Sequence, residues 1–445
     1  MKNIFHKRSE KRKVLVFSFN YFPDQSAGAR RCSLLVDQLI KADKDISVTI
    51  FCSVPRRYGR LEIYKSQIIS DSNIHNSNRV RIRRFWIPYF GDSAFASVAS
   101  YSFYFIQVVF CSLFVRPQII FGTSAKLLTS FAAAFAAKIT GAKLFIDIRD
   151  TFSDNFFYFY RWQKRILIHS LILVIENIVL RCASSINIVS IGFKEAFYSW
   201  DYLLKKHSIE ITNYPNGIER HFRSLLEKNN SYEINKDNLY HVVYAGNLGE
   251  GQDILSLLKD ISSNENYIQK IKDLGVVIDI YGSGQQLKEI KDLISNSIDS
   301  NGKLHEIVFY KGLLSRSELI KVYNSADCLM LQLARYRSLS MVIPTKVIEY
   351  SATSLPILYG ASGFTKDFIN RIDGTIPFYQ SDSKSFLKSI ESSMKIKIDK
   401  SKRDLFLNKF DTNLIYSAYA KNILGLVKKS VSDWSAHSET QAFIN

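Results

Sequence analysis

Twice along this chain a short apolar run rich in β-branched residues stops at a loop of small residues, and helical periodicity takes over. Residues 14–19 (VLVFSF) run into NYFPDQSAGARR, a helical spacing covers 33–40, and a second strand-like run occupies 46–52. Past residue 240 the order repeats, with a strand at 240–245, a glycine-bearing loop at 246–252, a helix at 253–261 and a strand at 276–281. Strands that read as near-continuous apolar runs are buried on both faces, as in parallel sheets. Their alternation with helices is the pattern of a doubly wound α/β sheet, whose ligands bind beyond the carboxyl ends of the strands. The residues that immediately follow strands are therefore where chemistry is to be sought.

A chain of 445 residues is too long for a single ordinary core and suits two domains. The string Asn213-Tyr214-Pro215-Asn216-Gly217 is a strong turn signal and marks the boundary. The expected division is one α/β domain over 1–212, a second over 213–410, and a C-terminal helix with a flexible tail over 411–445 that packs back on the first. In the first domain, 79–85 (RVRIRRF) is an edge strand or a basic surface. Residues 95–114 are the most apolar stretch. They have about the length of a membrane span, but their Ser, Tyr and Gln residues favour a core helix. An alanine-rich helix at 124–138 precedes a strand at 143–148 that ends at Arg149-Asp150. In the second domain Ser315 and Glu318 form a capping box, and Pro344 stands at the first position of a helix reaching about 353. Residues 383–431 are mostly amphipathic helix.

The formal charge is +18, from 59 Lys and Arg against 41 Asp and Glu, which favours anionic partners. No zinc-finger spacing or aromatic–glycine RNA-binding signature directs that charge toward nucleic acid. The cysteines Cys32, Cys52, Cys111, Cys182 and Cys328 are scattered, as expected of buried thiols in a reducing compartment. The histidines are scattered too, so no metal site is expected. The basic start, 1–13, is followed by an apolar run too short for a signal peptide, which points to the cytosol.

Five loops carry candidate chemistry. Ser26-Ala27-Gly28-Ala29-Arg30-Arg31 follows the first strand, and its small residues let a ligand approach a helix start. The stretch with Gly246, Asn247, Gly249 and Gln252 has the glycines to cradle a diphosphate on backbone N–H groups. Gly282-Ser283-Gly284 ends a further strand of the same domain and offers a seat for a base or ribose. Pro344, Thr345, Lys346 and Glu349 open a helix, and Lys346 and Glu349 share one face of it. A lysine there opposes the helix dipole, and a bound diphosphate would account for it. Asp150, just after a strand of the first domain, is placed to meet a sugar hydroxyl or move a proton, whereas Asp147 lies within the strand and reads as structural. The basic Arg79, Arg81, Arg83 and Arg84, with Arg161, Lys164, Arg165 and the aromatics of 156–162, read as a surface for anionic lipid heads.

These motifs occur in the order seen in glycosyltransferase family 4, which the chain resembles over about 13–380. The resemblance is carried by VLVFSFNYFPDQSAGARR (14–31), KLFIDIRD (143–150), YPNGIERHF (214–222), VVYAGNLGEGQDI (242–254), VIDIYGSGQQ (277–286) and PTKVIEYSATSLPIL (344–358). More narrowly the chain is similar to transferases of O-antigen, capsule and exopolysaccharide assembly, including those for N-acetylfucosamine. The resemblance implies an α/β fold of the GT-B class, two Rossmann-like domains facing each other across a cleft. It implies an acceptor held by the first domain and a UDP- or GDP-linked sugar held by the second. Transfer would proceed with retention of anomeric configuration and without a required cofactor or metal. It implies that Gly28 approaches the donor phosphates, that Lys346 faces a phosphate, and that Glu349 is the second glutamate of an E-x7-E motif near the donor ribose. Met341 stands where the first glutamate is usual, so Tyr336, Arg337 and Ser338 are expected to share sugar recognition. Asn247 and Gln252 stand where relatives carry Arg and Lys.

The expected function is transfer of a hexosyl or N-acetylaminosugar unit to a polyprenyl-diphosphate-linked saccharide in surface polysaccharide or lipopolysaccharide biosynthesis. Such a chain would be cytoplasmic and peripheral at the inner face of an anionic membrane, with no nucleic-acid partner. Asp150, Lys346 and Glu349 are the expected catalytic residues. Two other readings stand beside it: a nucleotide-sugar 2-epimerase of the same fold, and a non-catalytic nucleotide-sugar-binding subunit.

Overall fold

A computed structural model of the chain describes residues 12–24, 26–54, 75, 77–88, 94–124, 127–150, 165–194, 209–228, 238–299 and 303–427. The chain divides into two compact units, Met1–Pro215 with Asn413–Asn445, and Asn216–Thr412. The basic start, the aromatic segment 156–162 and the charges of Arg161 and Lys164 fall outside the described residues, as does the side chain of Arg165.

The first unit contains β1 (Arg12–Phe17), α1 (Ala27–Ala42), β2 (Ile46–Ser53), β3 (Val80–Phe85), α2 (Ala94–Val115), β4 (Ile119–Thr123), α3 (Leu127–Thr140), β5 (Lys143–Ile148), α4 (Arg165–Cys182), β6 (Ser185–Ile188) and β7 (Glu210–Thr212). All seven strands are parallel, in the order β3-β2-β1-β4-β5-β6-β7. The order reverses between β1 and β4, which is the switch point where open parallel sheets bind ligands. The side chains of β1 alternate between two cores. Val14 and Val16 pack with Cys32, Leu35 and Leu39 of α1. Phe17 faces the other way, and its ring meets Phe51 edge-on at 5.7 Å. Tyr104 of α2 donates to the Phe51 carbonyl on that side.

The second unit contains α5 (Arg220–Lys228), β8 (Tyr240–Asn247), α6 (Ile254–Ser262), α7 (Glu265–Asp273), β9 (Val276–Ser283), α8 (Leu287–Asp299), β10 (Val308–Gly312), α9 (Arg316–Ser325), β11 (Cys328–Gln332), α10 (Thr345–Ser351), β12 (Ile357–Gly360), α11 (Gly363–Ile369), β13 (Thr375–Pro377), α12 (Ser383–Ser393) and α13 (Lys400–Asn408). Its six parallel strands run β10-β9-β8-β11-β12-β13, again reversing beside the first strand of the unit. Ser315 and Glu318 make the expected capping box at the start of α9. A last helix, α14 (Thr412–Gly425), sends Ile415, Tyr419 and Ile423 into the core shared by α1 and the first sheet.

Three local expectations shift. The first helix begins at Ala27, because the Ser26 hydroxyl accepts from the Ala29 N–H and caps it; Gly28 and Ala29 are thus in its first turn. Pro344 is the N-cap of α10 and keeps an extended ψ of 120°, so the helix starts one residue later than its sequence signature indicates. Residues 95–114 form a helix that buries Tyr104 and Val108 but leaves Ile106 and Phe114 largely exposed, so it is a surface helix and not a wholly buried one. Among the described residues no helix is long and apolar enough to cross a membrane.

The first unit is pinned by one buried ion pair. Arg31 of α1 donates from Nε and Nη2 to the two carboxylate oxygens of Asp147, at 2.7 and 2.9 Å. Nη2 also donates to the Tyr214 carbonyl at 2.7 Å, and Nη1 to the Pro215 carbonyl and the Tyr416 hydroxyl. Asn187 of β6 and the Tyr419 hydroxyl both donate to Asp147. Burial alone would raise the Asp147 pKa, but Arg31 outweighs it and holds the carboxylate below its usual value. Asp147 is therefore structural, and Arg31 is an internal tie, although its sequence neighbours suggested a ligand-facing loop.

Removing one partner of a buried pair strands the other charge. Arg31→Leu is expected to cost about 3–5 kcal/mol of unfolding free energy, read from urea denaturation. A loss under 1 kcal/mol would mean that the tie does not hold the unit together.

Candidate functional site

In the second unit the candidate residues converge at the carboxyl ends of β8 and β9. The period of a strand places Tyr244 and Gly246 on the same face of β8. Lys346 of α10 lies over that face, with its Nζ 4.5 Å from the centre of the Tyr244 ring. A Cβ at Gly246 would occupy the space taken by Lys346 Nζ, so only glycine admits the ammonium there. Lys346 Nζ is fully buried and has no hydrogen-bond partner among the described residues. Burial lowers its pKa to about 8, and the charge of Glu349, three residues on, opposes the fall. A cation attracted to an aromatic face still lacks the acceptor that a buried ammonium requires.

The surrounding loops are fastened by their own backbones. The Leu248 N–H donates to the Ser283 carbonyl, and the Gln286 N–H to the Leu248 carbonyl. Gly282, with φ of 133°, lies so close to Gly246 that a Cβ on it would strike the Gly246 carbonyl; a Cβ on Gly284 would strike that of Leu248. The two glycine stretches found in the sequence are thus one packed feature. The Tyr244 hydroxyl donates to the Asn247 carbonyl at 2.6 Å, and Gln332 at the end of β11 donates to the Asp253 carbonyl at 2.5 Å. Gly249 accepts from the N–H groups of Gln252 and Asp253, closing the turn. Asn247 donates to Gln252 at 2.7 Å, so this pair closes the loop and brings no charge to it. Asn216 donates to the Thr345 hydroxyl at 3.4 Å. Met341 is buried in a short 3-10 turn (Arg337–Met341), and the Ser338 hydroxyl in that turn is buried with no partner among the described residues.

In the first unit a pocket of about 220 Å³ opens at the β1/β4 switch point, lined by Ser18, Asn20, Gly28, Thr123, Arg149 and Asp150, among others. Gly28 and Asp150, far apart in sequence, meet here. The Arg149 N–H donates to the Ser124 hydroxyl at 2.8 Å, which sets the chain direction just before Asp150. Asp150 keeps one side in solvent, yet partial loss of hydration raises its pKa against the opposing charge of Arg149. Ala29 is buried beside the pocket wall and supports it without lining it. An adjoining apolar space is lined by Ile146, Ile148, Val179, Asp150 and the buried Glu176. Of the expected lipid-facing arginines, Arg79 donates to the Asp43 and Ile40 carbonyls, and Arg84 to the Phe22 carbonyl. Both are engaged with their own chain.

Sequence reasoning missed Tyr244 and Gln332. Tyr244 was legible in principle, two residues before a glycine on a strand. Gln332 was not, because its role is to tie a loop 80 residues away.

No protein-family model matches the chain, and no curated protein matches it in sequence. Solved structures match it in fold. Sucrose-phosphate synthase of Thermosynechococcus elongatus is 12% identical with a TM-score of 0.67, over 94% of this chain and 100% of that one. HepE of Anabaena, in complex with UDP and glucose, is 12% identical with a TM-score of 0.61, over 93% and 100%. A glycosyltransferase of Rickettsia africae is 15% identical with a TM-score of 0.59, over 94% and 100%. The fold is α/β with two Rossmann-like units, the architecture of the GT-B glycosyltransferases.

Two opposite stability effects are expected at the second-unit site. Gly282→Ala forces a side chain into a backbone oxygen at a positive φ and should cost more than about 2 kcal/mol. Lys346→Met removes a buried charge without an acceptor. It should raise the stability of the ligand-free protein, by at most about 3 kcal/mol for a pKa lowered this far. Thermal unfolding of both variants checks the pair, and a Lys346→Met protein less stable than the parent would show that the ammonium is satisfied.

Proposed function

We propose that this protein is a retaining glycosyltransferase that moves a sugar from a nucleotide-sugar donor, UDP- or GDP-linked, to a lipid-diphosphate-linked saccharide in surface polysaccharide biosynthesis. The observation that carries the proposal is the Lys346 ammonium. It is buried against Gly246 and Tyr244 with no acceptor among the described residues, where parallel strands end and a phosphate would supply one. HepE, of the same fold, is known in complex with UDP and glucose.

In this reading the second unit binds the donor. Lys346 faces the diphosphate, Pro344 and Thr345 lead the chain to it, and Glu349 accepts from the ribose hydroxyls. Gly246, Asn247 and Gly249 form one wall, and Gly282, Ser283 and Gly284 seat the nucleoside. The turn carrying Ser338 faces the donor sugar in place of the glutamate replaced by Met341. The first-unit pocket, with Gly28 and Asp150, takes the acceptor. The bond between the anomeric carbon and the β-phosphate oxygen breaks as the acceptor oxygen bonds to the same face of the sugar. The acceptor proton passes to the departing phosphate, with Asp150 orienting the hydroxyl. Negative charge grows on that phosphate, and an ammonium already in place stabilises it without reorganising. An acceptor on a lipid carrier puts the protein at an anionic membrane surface.

The electrostatics give a pH signature. The protonated form of Lys346 binds an anion, and its pKa in the unliganded protein is about 8. UDP affinity should hold below that pH and fall up to about tenfold per unit above it, with proton uptake on binding. Calorimetry in buffers of different ionisation enthalpy measures the uptake. Lys346→Ala should remove both the pH dependence and most of the turnover, and near-normal activity in that variant would refute the phosphate assignment. Incubating the purified protein and membranes with a panel of sugar nucleotides, then weighing the lipid products, tests the reaction itself. Release of an epimerised sugar nucleotide without acceptor would identify an epimerase instead.

A further inference from the structure

Helices α2, α3 and α4 lie side by side on one face of the first sheet. Phe105 of α2 stacks on Phe131 of α3 at 5.6 Å and locks the first two together. Their inward side chains fill the core, but their outward side chains are apolar as well. On α2, Phe103, Ile106, Phe110 and Phe114 recur at helical spacing and are 48, 66, 59 and 69% exposed. Phe135 of α3, and Leu171 and Val174 of α4, are exposed in the same way. Single exposed hydrophobics are ordinary, whereas stripes on three adjacent helices mark an interaction surface.

Charge identifies the partner. The 22 residues of α2 and the 14 of α3 include no acid, and the 18 of α4 include one, Glu176, which is buried. Each of these helices feeds the next parallel strand, so their carboxyl ends share one edge of the sheet. Arg116, Lys138 and Arg181 stand at that edge, all exposed. Trp86 is 69% exposed beside α2, its carbonyl accepting from Gln107 at 3.1 Å. An apolar face with a cationic rim, an exposed tryptophan and, among the described residues of its helices, no exposed carboxylate complements lipid tails beneath anionic heads. A second copy of the chain would bring the same acid-free face to the pairing and leave the rim uncompensated. Among the described residues no helix is long and apolar enough to cross a membrane, so seating on a bilayer would lay the three helices along it.

We infer that the α2–α3–α4 face is the surface by which the protein seats on an anionic bilayer. The inference deepens the membrane-surface reading above and rests on it. The test is cosedimentation of the full chain with vesicles of phosphatidylcholine containing or lacking phosphatidylglycerol. The parent should pellet with the anionic vesicles, and the double variant Ile106→Glu/Phe110→Glu should bind them at least tenfold more weakly. Leu313→Glu, at a site 70% exposed in the other unit, should bind like the parent. Far-UV circular dichroism and UDP affinity, unchanged in the double variant, show that it is folded. Failure of the parent to bind any vesicle would overturn the membrane reading itself. Binding by the parent with no loss in the double variant would overturn only the choice of face. A dimeric parent converted to monomer by the double variant would assign the face to a second copy and also overturn the inference.

Discussion

The first unit depends on a guanidinium and a carboxylate that have left water together. Arg31 and Asp147 come from different elements, and between them they hold α1, β5, β6, the 214–215 segment and α14 by hydrogen bonds. A buried charge pair is stabilising only when every donor and acceptor finds a partner. Here the remaining guanidinium N–H groups reach two carbonyls and a tyrosine hydroxyl. The stacking of Tyr214 on Tyr419 at 4.7 Å closes the cluster and fixes where the last helix docks.

The second unit contains the opposite case. Lys346 is also a buried cation, but it has a ring beneath it, a glycine beside it and no acceptor among the described residues. The contrast separates a cation that serves the fold from one that costs the fold stability. In the proposed function a bound phosphate offsets that cost. The depressed pKa follows from the same burial, so the feature that points to an anion also predicts how binding responds to pH.

Much of this was legible in the chain itself. Apolar strands stopping at small-residue loops revealed the parallel sheets, because a strand covered on both faces has to be apolar throughout. The Ser315–Glu318 cap was readable because capping is local. Loop-borne candidates after strands were readable because parallel topology gathers strand ends along one edge. The merging of the two glycine stretches was not readable. It depends on β8 and β9 pairing in a register that sets Gly246 against Gly282. The roles of Arg31 and of Arg79 and Arg84 were misleading in sequence for a common reason: each cation's partners, the Asp147 carboxylate for Arg31 and backbone carbonyls for Arg79 and Arg84, lie far away along the chain.

The sequence by itself determined the fold class, the order of its elements and the small-residue loops that follow the strands, since these follow from periodicity, turn chemistry and residue size. Tertiary structure alone decided which charges are spent inside the protein, which ammonium is left without an acceptor, and which helix faces stay uncovered. Those outcomes depend on contacts between residues tens to hundreds of positions apart, and no local pattern encodes them.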